Sequence, residues 1–272
     1  MAPSNSKYDT GTDAGSSKVR PNPPAYVPEP NWQPFPGFSF LFDNPTGALS
    51  IKNGYGKIDV DVASSPALEL YAAISRAVEN IEPATLAQRF QFFALPSSTY
   101  HVTVWDGVNK GNLDSLHKEA REEFESCYSE GTKSLLPSWP PFGQSLDYRK
   151  WFEGIGDIRF EYSSLLSRDN TVLVVELKPA DTFSVGVLDS IRVRRAELDA
   201  YFAKLGKPEN YEYRAHVAVG YFANEESGKA GTLQYMDRWI KEFHEQVRGT
   251  KIEFTTIDLY AFTDMVTYVK PI

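Results

Sequence analysis

The chain has 272 residues, of which 42% are apolar, enough for one large domain or two small ones and too apolar for wholesale disorder. Its 28 Lys and Arg against 36 Asp and Glu give a formal charge of −8, which argues against binding duplex DNA and for a small or short substrate. One cysteine, Cys127, allows no intrachain disulfide, and there is neither an apolar run of ~18 residues nor a secretory or transit signal, so a cytoplasmic or nucleocytoplasmic protein without a membrane span is expected.

Residues 1–36 are rich in Ser, Asp, Gly and Pro, with seven prolines from Pro21 to Pro36. Proline removes backbone donors and fixes φ, so this arm is predicted to be disordered or extended, with its aromatics from Tyr26 to Phe35 laid on the domain. A ligand for a proline-binding partner is the alternative. Phe38–Phe42 reads as a strand, Asp43–Gly47 as a turn, and Ala48–Lys52 as a return strand. Tyr55–Val62 alternates apolar and charged residues and reads as a half-buried strand. Asp59 and Asp61 on it are taken as a solvated face, because no third metal ligand lies near.

Ser65-Pro66 opens a helix whose apolar face is Leu70, Ile74, Ala77 and Ile81, with Pro83 past its end. Arg89–Leu95 is expected to be strand and Asn112–Tyr128 helix, with Cys127 in the core and His117 on the surface. Residues 131–157 form an irregular stretch whose Pro137–Gly143 segment is either a lid or binding wall, or a packed linker. Beyond it, Ile158–Tyr162 and Thr171–Leu177 read as strands around a polar turn at Arg168-Asp169-Asn170. A helix spans Ser184–Leu205 and stops at Gly206, and Tyr211–Phe222 is a strand. Thr232–Val247 is a helix with His244 on its surface, Ile252–Phe262 a last strand, and Tyr268–Ile272 a tail.

Two short runs carry the chemistry. Tyr100-His101-Val102-Thr103-Val104-Trp105 has an echo in Arg214-Ala215-His216-Val217-Ala218-Val219-Gly220-Tyr221. In a strand, residues i and i+2 share a face, so His101 with Thr103, and His216 with Ala218, point away from the core. Strand pair, helix, motif strand, helix occurs twice. The expected fold is therefore α+β and bilobed: antiparallel sheets form a central groove between motif strands, with helices on the outer faces. The domain is expected over residues 37–272, with lobes of roughly 37–130 and 158–272.

The run Leu95-Pro96-Ser97-Ser98-Thr99-Tyr100-His101-Val102-Thr103-Val104-Trp105-Asp106-Gly107, with Phe35-Pro36-Gly37, Leu177-Lys178-Pro179-Ala180-Asp181 and Tyr213-Arg214-Ala215-His216 in that order, resembles a poorly characterised branch of the 2H phosphoesterase superfamily. Its mark is a His-x-Thr/Ser-x motif in each half. The resemblance implies a metal-independent, cofactor-free phosphodiesterase acting on a cyclic phosphate at a nucleotide or RNA end. His101 and His216 are then the catalytic acid and base, and Thr103 the phosphate ligand. Ala218 departs from the pattern. Hydroxyls of Tyr100 or Tyr221, or Arg214, are the candidates to compensate, and strict strand alternation favours Arg214 unless the strand bulges. Tyr55, Trp105, Trp139, Phe142 and Tyr221 are candidates to stack a base or form the rim. A phospho-ligand or RNA-end binding protein of the same fold, weakened by Ala218, is the second reading.

Overall fold

A computed structural model describes residues 18–20, 30–47, 49–52, 54–129, 134–135, 141–142, 148–210, 212–229 and 234–271. Within the arm, read as disordered or extended, β1 (Val19–Arg20) pairs antiparallel with β2 (Asn31–Trp32) as a short ribbon. β3 (Gly37–Phe42) is buried at all six positions. Its side chains are packed from both faces, so it carries no polar alternation. Phe38 meets Trp105, Phe124 and Phe202, while Phe42 stacks on Phe254 at 4.8 Å between ring centres. Each such ring contributes about 1.5–3 kcal/mol by leaving water.

Two antiparallel sheets divide the strands. The six-stranded sheet runs β4 (Leu49–Lys52), β5 (Tyr55–Ile58), β15 (Thr267–Pro271), β14 (Ile257–Asp264), β3 and β7 (Thr103–Asn109). The five-stranded sheet runs β13 (Lys251–Phe254), β10 (Ile158–Arg168), β11 (Val172–Pro179), β12 (His216–Phe222) and β6 (Phe92–Ala94). The lobes read as 37–130 and 158–272 therefore do not coincide with the sheets. β14 and β15 belong with the N-terminal strands, and β6 closes the edge of the C-terminal sheet. The described part of the stretch read as a tail, 268–271, belongs to the strand β15.

The helices cover these sheets. Ser65 caps the first turn through its side-chain oxygen, and α1 (Glu69–Glu79) buries Leu70, Ile74 and Ala77 as its spacing predicts. It packs against α5 (Asp237–Val247), where Trp239 Nε1 donates to the Ala77 carbonyl at 2.8 Å. Pro83 lies past the end of α1 as read, and it opens a further helix, α2 (Pro83–Phe90), which ends at Gln91 in the left-handed conformation, φ 49°. Proline fits the first helical turn because its missing N–H would have no partner there. Only Phe92–Ala94 of the strand expected over 89–95 is strand. The helix expected over 112–128 narrows to α3 (Lys118–Ser126), with Cys127 buried and His117 exposed. α4 (Thr182–Ala203) starts on Asp181, whose carboxylate accepts from Ser184 N at 2.8 Å. His244 is half-buried on α5, bonded to the Tyr162 hydroxyl rather than free on the surface.

Two short strands, β8 (Tyr128–Ser129) and β9 (Ser134–Leu135), begin the long connection. Its segment Pro137–Pro140, with Trp139, lies outside the described residues. Of the described aromatics there, Phe142, Tyr148 and Phe152 are buried against Phe38 and Phe40, and Trp151 is half-buried, so the described part of this stretch packs on the core.

Both motif strands bulge. Along β12 the pairing with β11 steps from Ala218 to Gly220 while β11 advances only from Val174 to Leu173, so Val219 is the extra residue. Along β7 the pairing with β3 steps from Thr103 to Trp105 while β3 moves from Leu41 to Phe40, so Val104 is extra. An extra residue reverses which side chains share a face beyond it. At Gly220 a Cβ would come within 2.4 Å of the Phe93 carbonyl oxygen and of the Phe92 ring. Gly220→Ala should therefore cost about 1–3 kcal/mol, read as a lowered urea midpoint with unchanged slope.

Candidate active site

The two motifs meet directly. Val102 and Val217, both fully buried, form an antiparallel bridge between the sheets. Antiparallel pairing sets Thr103 across from His216 and Ala218 across from His101, all four on the face opposite the two valines. His101, Thr103, Arg214, His216, Ala218 and Tyr221 all line one cleft of about 680 Å³. A second hollow, of about 490 Å³ beside Phe152 and Phe254, contains Lys150 and Glu153 but no histidine.

Each imidazole is fixed in the same way. His101 Nδ1 lies 2.8 Å from the Thr99 carbonyl and His216 Nδ1 lies 2.9 Å from the Arg214 carbonyl. A carbonyl can only accept, so wherever this bond is made Nδ1 carries the proton and Nε2 is left as the second ring nitrogen. The two sites then diverge. The His101 ring packs on Tyr268 with ring centres 4.1 Å apart. His216 Nδ1 is also approached by Arg168 Nη1 at 3.0 Å, and Arg168 Nη2 donates to the Arg214 carbonyl at 3.3 Å. One Nδ1 serves one neighbour at a time: it donates to the carbonyl, leaving Nε2 basic, or accepts from Arg168, moving the proton to Nε2. The carbonyl bond is the one both histidines share.

The bulges decide what else enters the cleft. Past Val219, Tyr221 pairs with Val172 and so shares the face of His216 and Ala218. Strict alternation would have turned it away. Past Val104, Trp105 goes into the core and Asp106, opposite Ser39, goes into the cleft. Trp105 is fully buried, with Nε1 donating to Asp199 Oδ1 at 2.8 Å and Lys207 over its ring, so it cannot stack a ligand. Tyr55, half-buried in β5, is not among the lining residues. Three donors from outside the sheet take up the bulged backbone of β7. Arg195 donates to the Val104 carbonyl, Tyr213 Oη to the Thr103 carbonyl at 3.0 Å, and Asn210 Nδ2 to the Asp106 carbonyl at 3.0 Å. In β12, Leu95 N donates to the Val219 carbonyl at 2.8 Å.

Arg214 lines the cleft as expected, but its side chain is 61% exposed and lies 3.6 Å from Glu212 and 3.9 Å from Glu176. Arg168, read in the sequence only as part of a turn, lies deeper, against His216. Tyr268, Asp106 and Lys18 also line the cleft without having been singled out. Among the described residues, no three His, Cys, Asp or Glu side chains converge closely enough to ligate a metal, and no helix is long and apolar enough to cross a membrane.

No protein-family model and no curated protein matches the sequence. Solved structures do. One is a conserved protein of unknown function from Agrobacterium tumefaciens, 15% identical with a TM-score of 0.49, covering 91% of this chain and 89% of that one. Another is Usb1 of Kluyveromyces marxianus, solved with uridine monophosphate, 11% identical with a TM-score of 0.36, covering 87% of this chain and 99% of that one.

Electrostatics separate the histidines. Burial lowers the pKa of His101, opposed by its bond to Thr99 and by the charge of Asp106. Burial and then the Arg168 guanidinium lower His216 to about 4, with weaker upward pulls from the Arg214 carbonyl and Asp106. Glu176, paired across the strands from His216, and Arg214 complete the charges around it. An unfolded histidine titrates near ~6.5. Between these values the unfolded chain holds a proton that folded His216 refuses. This contribution to stability is thus present above ~6.5 and lost as pH falls toward 4. Arg168→Met should move the His216 Cε1–H titration upward by NMR and narrow that window in denaturant midpoints against pH.

Proposed function

We propose that the cleft binds a phosphodiester, and that His101 and His216 hydrolyse a 2′,3′-cyclic phosphate at a nucleotide or short RNA end by general acid–base chemistry. The single observation that carries this is the Val102–Val217 bridge, which brings two imidazoles into one cleft with each Nδ1 held by a carbonyl two residues back. Both Nε2 atoms are then available to exchange protons with a ligand. A strained cyclic diester asks for little more: one group to take a proton from water and another to give one to the departing oxygen.

The charges around the rings favour one assignment. His216, beside Arg168, is held neutral and acts as the base. Its Nε2 takes a proton from water as the water oxygen bonds to phosphorus. His101, with Asp106 pulling its pKa up and no guanidinium bonded to its ring, is the easier ring to protonate once an anion enters. It gives its Nε2 proton to the ribose 3′ oxygen as that P–O bond breaks, leaving a 2′-phosphate. Thr103, across from His216, and Arg214 at the mouth hold the non-bridging oxygens. Tyr221 forms the rim for a base, and no metal or cofactor takes part.

A second reading has specific support. Ala218 removes one hydroxyl, and Asp106 sets a carboxylate in the cleft where an anion would bind, so a protein that holds a phosphorylated ligand without cleaving it is the alternative. Phosphorus NMR on 2′,3′-cyclic nucleotides and short cyclic-phosphate oligonucleotides, with EDTA present, separates the two. The expected outcome is steady formation of a phosphomonoester. His101→Ala and His216→Ala should each slow it by roughly 10²–10⁴-fold while the chain stays folded by circular dichroism at the assay temperature. Binding without product over hours would favour the second reading, and full activity in either single variant would dismiss the histidine pair.

A further inference from the structure

The vacancy created by Ala218 has a definite place. Because the two motifs pair antiparallel through Val102 and Val217, Thr103 serves the His216 end of the cleft, and the methyl of Ala218 faces His101. The His101 end is therefore the one short of a hydrogen-bond donor. Arg168 and Arg214 do not fill it, since both lie at the His216 end, one against that ring and the other beside Glu176 and Glu212.

A cation does reach the Ala218 side, from the N-terminal arm. Lys18 lines the cleft, half-buried, with Nζ 5.2 Å from the centre of the Tyr221 ring and 4.8 Å from that of Phe35. Tyr221 is the ring that the Val219 bulge turns onto the face of Ala218. The lysine is fixed in place by its neighbours. Gln33 N donates to the Lys18 carbonyl at 3.1 Å, and the next residue, Val19, pairs with Trp32. The Trp32 ring meets Tyr221 edge-on at 6.2 Å, and Phe35 N donates to the Thr263 carbonyl at 2.9 Å. Among the described residues the ammonium forms no ion pair. Asp106 and Asp169 act on it only through space, while burial pulls its pKa down. A cation short of water and of a bonded counter-ion has the most to gain from an incoming anion, and its N–H donors are not spent on carboxylates.

We propose that Lys18, delivered by the β1–β2 ribbon, donates to the phosphoryl group at the His101 end of the cleft, in place of the hydroxyl that Ala218 lacks. This rests on the phosphodiester reading above, and it makes the arm part of the binding site. The two rings beneath the ammonium act as its mount: they attract the charge but accept no proton from it, so its donors stay aimed at the ligand.

The test uses the full chain with Lys18→Met, Lys18→Arg, Ala218→Thr and the double variant Lys18→Met/Ala218→Thr. Losing one hydrogen bond to a charged group should lower kcat/KM for 2′,3′-cyclic UMP by roughly 10–100-fold in Lys18→Met. Lys18→Arg should keep most of the rate, and Ala218→Thr should restore at least tenfold in the Lys18→Met background, which a merely structural lysine would not allow. Inorganic phosphate, titrated by calorimetry, should bind several-fold more weakly to Lys18→Met than to the parent. Rates within twofold of the parent for Lys18→Met, or no rescue by Ala218→Thr, would overturn the proposal. If the parent turns over no cyclic phosphate, the hydrolase reading fails on its own, and phosphate affinity then decides Lys18: equal binding in the parent and in Lys18→Met would sink it.

Discussion

The Val102–Val217 bridge is the constraint on which the rest depends. A single antiparallel contact between two sheets fixes both strands in register, and a strand's period of two then sends the flanking residues to the opposite face. Two fully buried valines on one side thus guarantee two histidines on the other. The same contact makes the site two-fold in plan, with each histidine facing the other motif's second position. The departure from symmetry, threonine in one motif and alanine in the other, is why the two ends of the cleft differ in chemistry.

The bulges at Val104 and Val219 are the second device, and they too are equivalent in the two motifs. Each takes one residue out of the pairing and so re-aims the chain beyond it. In the first motif this exchanges Trp105 for Asp106 at the cleft, and in the second it brings in Tyr221. A bulge leaves backbone groups without ladder partners, and buried groups left so cost about 1–3 kcal/mol each. Arg195, Tyr213, Asn210 and Leu95 N meet that need. The residues of α4 and of the loop after it that look purely structural therefore help set which side chains reach a ligand.

Much of this was legible in the sequence, because periodicity and punctuation are local. The α+β class, the strand over 38–42 and the helices at α1 and α4 follow from spacing and capping residues, whereas the pairing of His101 with His216 was an expectation that the family resemblance implied. What failed was non-local or depended on one extra residue. Trp105 was a candidate for stacking because alternation cannot foresee a bulge, and Tyr221, a rim candidate, was ranked behind Arg214 as the compensating group for the same reason. Pro83 was rightly placed past the end of α1, but nothing in the reading marked it as the first-turn proline of a further helix, α2. Arg168 looked like a turn residue and Tyr268 like part of a tail, since nothing in their neighbours reveals that long-range pairing carries them to the two histidines. Lys18 stands in a stretch whose composition argues for disorder or extended chain, and it is held by the β1–β2 pairing and by Phe35 and Tyr221.

The interleaving of the sheets bears on how the molecule comes into being. β6 is made early but borders the later sheet, whereas β14 and β15 are made late and complete the earlier one. Neither half can finish its own hydrogen-bond ladder. Pairings between distant parts of a chain close slowly, because the entropy of a large loop is lost before any contact repays it. Tyr268, which stacks on His101, sits on the last described strand. During synthesis the first imidazole therefore waits, without its aromatic support, for a strand made more than half the chain later, and the cleft is among the last features to mature.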